Sequence, residues 1–293
     1  MVLREAFDYE FSQVSPTGPH IDPCHVAVYE LLVIKGEDWR PKPALAQSWD
    51  ISSDGLEWRF HLRPDVQFHS GAHCDAEAVL APLEHLRRLL PEGPLWYWDP
   101  VDSVHTEGTE TLVFRLHYPY SRLPSLLWGT HSTVYNEALR AAQPDRFGFE
   151  FADGTGPFRL VSWSPEQVVA ERFDGYHGSP PRLDRIEWTS ILHPKARLEA
   201  LERGEVDVLH GPPLDEVERL RDDPRFFVVE HPQPSSIYLG LDFEQGFDDV
   251  RIREAISLAI DREALVREAL AGRGFATWGP VPPGDEHYEP RVD

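Results

Sequence analysis

The run Phe151-Ala-Asp-Gly-Thr-Gly-Pro-Phe-Arg-Leu-Val-Ser-Trp163 constrains the fold more than any other stretch of this chain. A dinucleotide fold carries G-x-G-x-x-G between a strand and a helix, so that helix N–H groups face a pyrophosphate. Gly154 and Gly156 supply the first two positions here, but Arg159 stands at the third and Pro157 has no N–H to donate. Phe158, Leu160 and Trp163 then alternate with polar residues, which is a strand pattern and not a helical one. No Gly-Lys-Ser/Thr follows, so a P-loop is excluded as well. The stretch reads as a tight turn entering a strand.

Strands and helices alternate on both sides of this turn. Glu57–Arg63 places Trp58, Phe60 and Leu62 on one face and charge on the other, and Thr111–His117 repeats the pattern with Leu112, Phe114 and Leu116. Both are half-buried strands. Between them Asp75 is a plausible N-cap for a helix with an apolar stripe of Val79, Leu80, Leu83, Leu86 and Leu90, in which Pro82 is expected to introduce a kink. Earlier, a short strand and a Pro/Gly-rich loop lead to a helix expected over Val26–Leu32. After Trp163 the pattern predicts strands over Gln167–Phe173, Leu183–Leu192, Val206–Leu209, Phe226–Glu230 and Ile237–Phe243. Helices are expected over Pro194–Arg203, Leu214–Arg221 and Asp249–Leu270, the last breaking near Asp261. The class is α/β.

The chain has 293 residues, 41% of them hydrophobic, enough for two domains with packed cores. Its net charge of −22 repels nucleic-acid phosphates and disfavours anionic membrane surfaces. No run approaches the roughly 18 apolar residues of a membrane span. Met1 is followed at once by structured-looking sequence, without the basic start and apolar core of a leader. The expectation is a cytoplasmic chain, or a periplasmic or extracellular membrane-anchored one whose leader is missing. Cys24 and Cys74 define no disulfide framework, and pairing and two buried thiols both stay open.

Five blocks, in order, resemble the extracellular solute-binding proteins, family 5, of ABC transporters for peptides, dipeptides and nickel. They are Pro43–Arg63 continuing into Asp65–Gly71, the helix after Asp75, Gly154-Thr-Gly-Pro-Phe158, Leu198–Asp207, and Asp248–Arg262. The resemblance implies an α/β, two-lobed periplasmic-binding-protein fold (class II-like) with an inserted subdomain and an incomplete C-terminal lobe. Residues 1–38 and 155–241 would form lobe I, 39–154 the subdomain, and 242–293 the start of lobe II. It further implies a non-enzymatic, monomeric protein that binds a peptide or small molecule between its lobes and docks on permease subunits. A cytoplasmic ligand sensor of the same fold, coupled to a regulator, is the alternative.

Candidate ligand-binding residues are Trp96, Tyr97 and Trp98 on a Pro/Gly-flanked loop, Trp128 and His131, His20 before the first helix, and Ser235 and Tyr238 on the way into lobe II. Gly154, Gly156 and Pro157 mark a hinge or turn. His69, His73, Cys74 and Asp75 have metal-ligand chemistry, but Asp75 is wanted as a cap, so no metal is expected. No cofactor and no catalytic residue are assigned. There is no H-E-x-x-H or G-x-S-x-G, and capping explains Asp248-Asp249 at a helix start.

Overall fold

The computed structural model describes residues 1–14, 16, 22–38, 40–89, 98–129, 132–230 and 237–279. The chain divides into two compact units, Met1–His210 and Gly211–Asp293.

The first unit opens with β1 (Val2–Phe7), α1 (Pro23–Val28), β2 (Glu30–Leu31), β3 (Val33–Lys35), β4 (Pro41–Pro43), β5 (Ala46–Ile51) and β6 (Glu57–Leu62). It continues through α2 (Ala76–Leu89), β7 (Val101–Thr106), β8 (Thr111–Leu116), α3 (Leu123–Leu126), β9 (Thr133–Val134) and α4 (Glu137–Ala142). It closes with β10 (Phe158–Trp163), β11 (Gln167–Arg172), β12 (Arg185–Ser190), α5 (Pro194–Glu202) and β13 (Val208–Leu209).

Two sheets organise these elements. An antiparallel sheet has the order β5-β6-β8-β7, and a mixed one has the order β10-β11-β12-β1-β13, in which β1 runs parallel to both β12 and β13. Each sheet anchors its own core. In the antiparallel sheet the period-two residues Trp58, Phe60, Leu62, Leu112, Phe114 and Leu116 point inward, against Val79 and Leu83 of α2. Asp75 caps α2 by accepting from the Ala78 N–H at 2.9 Å. The helix runs unbroken through the buried Pro82. The second core gathers Phe7, Phe11, Val28, Tyr29, Tyr135, Phe147, Val168, Ala170, Ile186 and Trp188. Its sequence comes from both sides of the stretch that makes the first core. A two-stranded ribbon, β2 with β9, marks the chain's passage between them.

The helix expected over Val26–Leu32 is shorter than its apolar pattern predicts. Tyr29 turns extended, and Glu30 and Leu31 form ladder bonds with Val134 and Thr133 instead.

The second unit carries a 3₁₀ turn (Leu214–Glu216), α6 (Val217–Asp222), a second 3₁₀ turn (Phe243–Gln245), α7 (Val250–Ala259) and α8 (Arg262–Ala269). The helical break at Asp261 is present. Asp249 and Asp261 each cap a helix, accepting from the N–H of Arg251 and of Ala264 at 2.9 Å. The strands expected over Phe226–Glu230 and Ile237–Phe243 are absent, because an extended run becomes a strand only with a ladder partner. Among the described residues these segments find none. No described helix is long and apolar enough to cross a membrane.

Candidate functional site

The three parallel strands β12, β1 and β13 end on the same side of the mixed sheet. In open α/β sheets, crevices outside the carboxyl ends of strands are where ligands bind, since loops there face solvent while the strands fix their origins. What leaves these ends is aromatic. β1 runs into Asp8, Tyr9, Glu10 and Phe11, β13 into His210, and β12 into Ile191 and Leu192 ahead of α5. The Phe7 ring lies 5.4 Å from Tyr9 and 5.8 Å from Phe11, and Tyr9 lies 5.6 Å from Phe11. His210 stacks flat on Phe7, with centroids 4.1 Å apart and planes 12° from parallel.

Backbone bonds hold this ledge in place. The His210 N–H donates to Ala6 O and the Ile191 N–H to Phe7 O, both at 2.9 Å. The Phe11 N–H donates to Pro165 O at 2.9 Å, and the Trp163 indole donates to Ser12 O at 2.7 Å. Phe7 and Phe11 are buried, whereas Tyr9 and His210 are only partly covered. Burial, together with the charge of Asp22 and its hydrogen bond, pushes the Tyr9 hydroxyl well above the ordinary tyrosine range. Asp22 also accepts from Ser12 Oγ at 3.4 Å and stands at the N-cap of α1. The ledge therefore combines apolar ring surface, a neutral phenol, an imidazole and a carboxylate. That set suits stacking and hydrogen bonding to a polar organic solute.

α1 leads from the ledge to the Gly-Thr-Gly-Pro turn, about 9 Å away at 1.5 Å per residue. At its far end the Val28 carbonyl accepts the Gly156 N–H at 3.0 Å. The approach requires glycine. A Cβ on Gly154 would lie 2.1 Å from Val28 O, and one on Gly156 would lie 2.5 Å from Ala27 O. On its other side the turn is clipped by the His69–Ser70 segment. His69 Nε2 donates to Gly156 O at 3.0 Å, Nδ1 accepts the Gly154 N–H at 3.4 Å, and the His69 N–H donates to Gly154 O at 2.9 Å. Asp153 is buried and accepts from the Ser70 N–H at 2.8 Å, Ser70 Oγ at 2.7 Å and Asn136 Nδ2 at 2.8 Å. The turn thus joins the mixed sheet, α1 and the antiparallel unit at one point.

The other candidates are scattered. Trp98 is 7% exposed and packs into the core of the antiparallel sheet. Trp128 follows α3 and is half-buried. Tyr238, in the second unit, is 85% exposed. His20, Trp96, Tyr97, His131 and Ser235 lie outside the described residues. The residues considered for a metal have structural duties: His69 clips the turn, His73 Nε2 donates to Pro64 O at 2.9 Å, and Asp75 caps α2. No group of three ligand-type side chains that could hold a metal occurs among the described residues. Cys24 and Cys74 are free and sit in different cores. Burial pushes the Cys24 thiol up to about 12, and Cys74 higher still, so neither is a nucleophile at neutral pH.

Tyr9 and His210 were not singled out by sequence reasoning. The signal that finds them is their place, directly after parallel strands, which is visible only once the strand order is known.

Comparison with known proteins agrees with this architecture. The family model for bacterial extracellular solute-binding proteins, family 5, matches residues 40–293. The chain is 30% identical over 244 residues to a glutathione-binding protein of Pectobacterium atrosepticum, an alignment covering 81% of this chain and 47% of the relative. It is 29% identical over 251 residues to a probable D,D-dipeptide-binding periplasmic protein of Escherichia coli, covering 84% and 48%. Among solved structures, the periplasmic binding protein DppA of Helicobacter pylori, in complex with the peptide STSA, superposes with a TM-score of 0.82 at 26% identity, over 97% of this chain and 61% of that one. The oligopeptide-binding protein AppA of Bacillus subtilis, in complex with a nonapeptide, gives 0.87 at 21% identity over 100% and 60%, a likeness of fold. The chain spans about half the length of the curated relatives it matches. Its fold is that of the two-lobed periplasmic binding proteins, with the C-terminal lobe incomplete. This chain belongs to the bacterial extracellular solute-binding proteins of family 5.

Proposed function

We propose that this chain contributes the first lobe, and the start of the second, of an ABC-importer solute receptor for short peptides, and that the aromatic ledge holds the solute. The observation that carries the reading is the placement of Tyr9 and His210 at the carboxyl ends of the parallel strands, with Asp22, at the N-cap of α1, beside the Tyr9 hydroxyl. A stacking ledge tolerates varied side chains, while Asp22 and nearby backbone groups accept hydrogen bonds from a peptide's N–H groups. Three of its relatives are named for or hold peptide-like ligands, namely glutathione, a D,D-dipeptide and the peptide STSA. Lobe I would comprise residues 1–38 and 155–241, with 39–154 inserted and lobe II beginning at 242. The described compact unit ends earlier, at His210. Trp128, Tyr238, His20, Trp96, Tyr97, His131 and Ser235 are kept as further candidate ligand contacts on the sequence pattern alone. Trp98 is buried in the core of the antiparallel sheet and is no longer counted as a contact. The loaded receptor would deliver its solute, as a monomer outside the cytoplasmic membrane, to permease subunits, with no covalent step.

Calorimetry of the chain against di- to pentapeptides, with sugars and metal chelates as comparison arms, tests this. Saturable heat from peptides alone is expected. Heat only from a sugar or a chelate, or from nothing, contradicts it.

A further inference from the structure

Glu5 is the one carboxylate among the described strand residues on the face of the mixed sheet that carries Phe7. Leu3, Glu5 and Phe7 of β1 share this face, and the neighbouring strands place Ile186, Trp188, Val168 and Ala170 on it. Glu5 pairs with Trp188 on one side and Val208 on the other, and its side chain is only 16% exposed. A carboxylate in such surroundings is unfavourable unless a partner meets it. The arginines of the adjoining strands are engaged on the opposite face. Arg4 holds Asp207 through Nε at 3.1 Å and Nη2 at 2.8 Å, and Arg185 holds Glu187 at 2.7 Å. What faces Glu5 is His210, whose Nε2 lies 3.7 Å from the Glu5 Oε2, beyond a hydrogen bond but within ion-pair reach.

The flat stack of His210 on Phe7 fixes where both ring nitrogens point. Nε2 is buried and makes no hydrogen bond, so the Glu5 carboxylate is the acceptor it faces. Nδ1 bonds to no described residue, and the side chain as a whole is 43% exposed. A neutral imidazole with one nitrogen buried against a carboxylate keeps its proton there, and the other nitrogen becomes an acceptor. The surroundings share one sign. Asp8 and Glu10 lie on the segment that leaves β1, and Asp22 stands beside Tyr9. We propose that Glu5 is a positioning residue that holds His210 with Nδ1 as a hydrogen-bond acceptor toward the ledge, and that this acceptor takes a solute's ammonium group. The inference rests on the ledge reading and names the end of the solute that the ledge selects, a free amino terminus over a blocked one.

Nitrogen-15 NMR of the imidazoles in the full 293-residue chain, at pH 8.5 where imidazoles are neutral, tests the positioning, with the His210 signals assigned by their absence in His210→Gln. In the wild type the His210 proton should sit on Nε2. In Glu5→Leu it should move to Nδ1, because on Nε2 it would be a buried N–H with no acceptor. In Glu5→Gln, whose amide oxygen accepts it, it should stay. Tm should be unchanged or higher in Glu5→Leu, since an apolar side chain suits this face and a merely structural carboxylate would be missed. Calorimetry then compares the tightest-binding peptide of the series with its N-acetylated form. The wild type should prefer the free amino terminus by about tenfold or more. Glu5→Leu should lose most of that preference, and Glu5→Gln should keep the larger part. The inference is overturned by a proton on Nδ1 in the wild type, by the same tautomer in wild type and Glu5→Leu, or by an undiminished preference in Glu5→Leu. Tyr9→Ala separates this from the reading beneath it. Peptide affinity that falls in Tyr9→Ala but ignores Glu5→Leu sinks the role of Glu5 alone. Affinity indifferent to both, or no peptide heat at all, sinks the ledge and the ammonium subsite together.

Discussion

Gly154→Ala is the sharpest perturbation this structure offers. The added Cβ would sit 2.1 Å from Val28 O and 2.7 Å from the Tyr29 ring. Carbon–oxygen contacts ordinarily begin at about 3.3 Å, so the turn and α1 must part by roughly 1 Å. The opposing atom belongs to backbone and cannot rotate away. Separation weakens the Gly156 N–H···O=C Val28 bond and the His69 clip together. Overpacking of about 1–3 kcal/mol, with about 1–2 kcal/mol for a compromised buried hydrogen bond, gives a loss of about 2–5 kcal/mol. For a unit of this size that is a fall in Tm of about 4–20 °C. The control is Gly108→Ala in the same unit. It meets no atom within 4 Å and carries only the strain of its positive φ of 68°, about 1–2 kcal/mol. Urea and thermal unfolding followed by near-ultraviolet circular dichroism compare the two. If Gly154→Ala is no more harmful than Gly108→Ala, the close packing of the turn against α1 is refuted.

Other outcomes follow from the same contacts. Burial holds the His69 imidazole below its ordinary pKa, and Nδ1 must stay unprotonated to accept the Gly154 N–H. Its contribution to stability is therefore complete above about pH 6.5 and is lost as the pH falls below that value. Urea midpoints at pH 7.5 and 5 should show this dependence reduced in His69→Gln. Asp153→Ala, which orphans Ser70 and Asn136, should cost about 2–4 kcal/mol in the same assay. Thiol titration should find both Cys24 and Cys74 unreactive in the native chain and both reactive in denaturant, and one rapidly labelled native thiol contradicts their burial.

The parts of the fold written in the sequence are those where one local pattern suffices. The alternation in Glu57–Leu62 and Thr111–Leu116, the cap at Asp75 and the caps at Asp249 and Asp261 each depend on neighbours within a few residues. The pairing of Glu30–Leu31 with Thr133–Val134 is too short and too distant to leave a periodic trace, and it ended α1 early. Phe226–Glu230 shows the converse, a strand-like pattern that meets no partner strand among the described residues. The glycines of the turn were legible as a tight turn, but the reason for them, the carbonyls of Ala27 and Val28, is tertiary. The ledge was not legible, because Tyr9 and His210 come from opposite ends of the first unit and meet only through the order β12-β1-β13. His69 looked like a possible metal ligand, and its two ring nitrogens turned out to face a backbone carbonyl and a backbone N–H.

Whether the ledge holds the solute is decided most directly by titrating the tightest-binding peptide of the calorimetric series into the wild-type chain and into Tyr9→Ala and His210→Ala. Each stacking face is worth about 0.5–1.5 kcal/mol, so each variant should weaken binding by up to about tenfold, and Tyr9→Phe, which keeps the ring, should weaken it less than Tyr9→Ala. Unchanged affinity in both alanine variants, with wild-type peptide heat intact, would place the solute elsewhere and contradict the account.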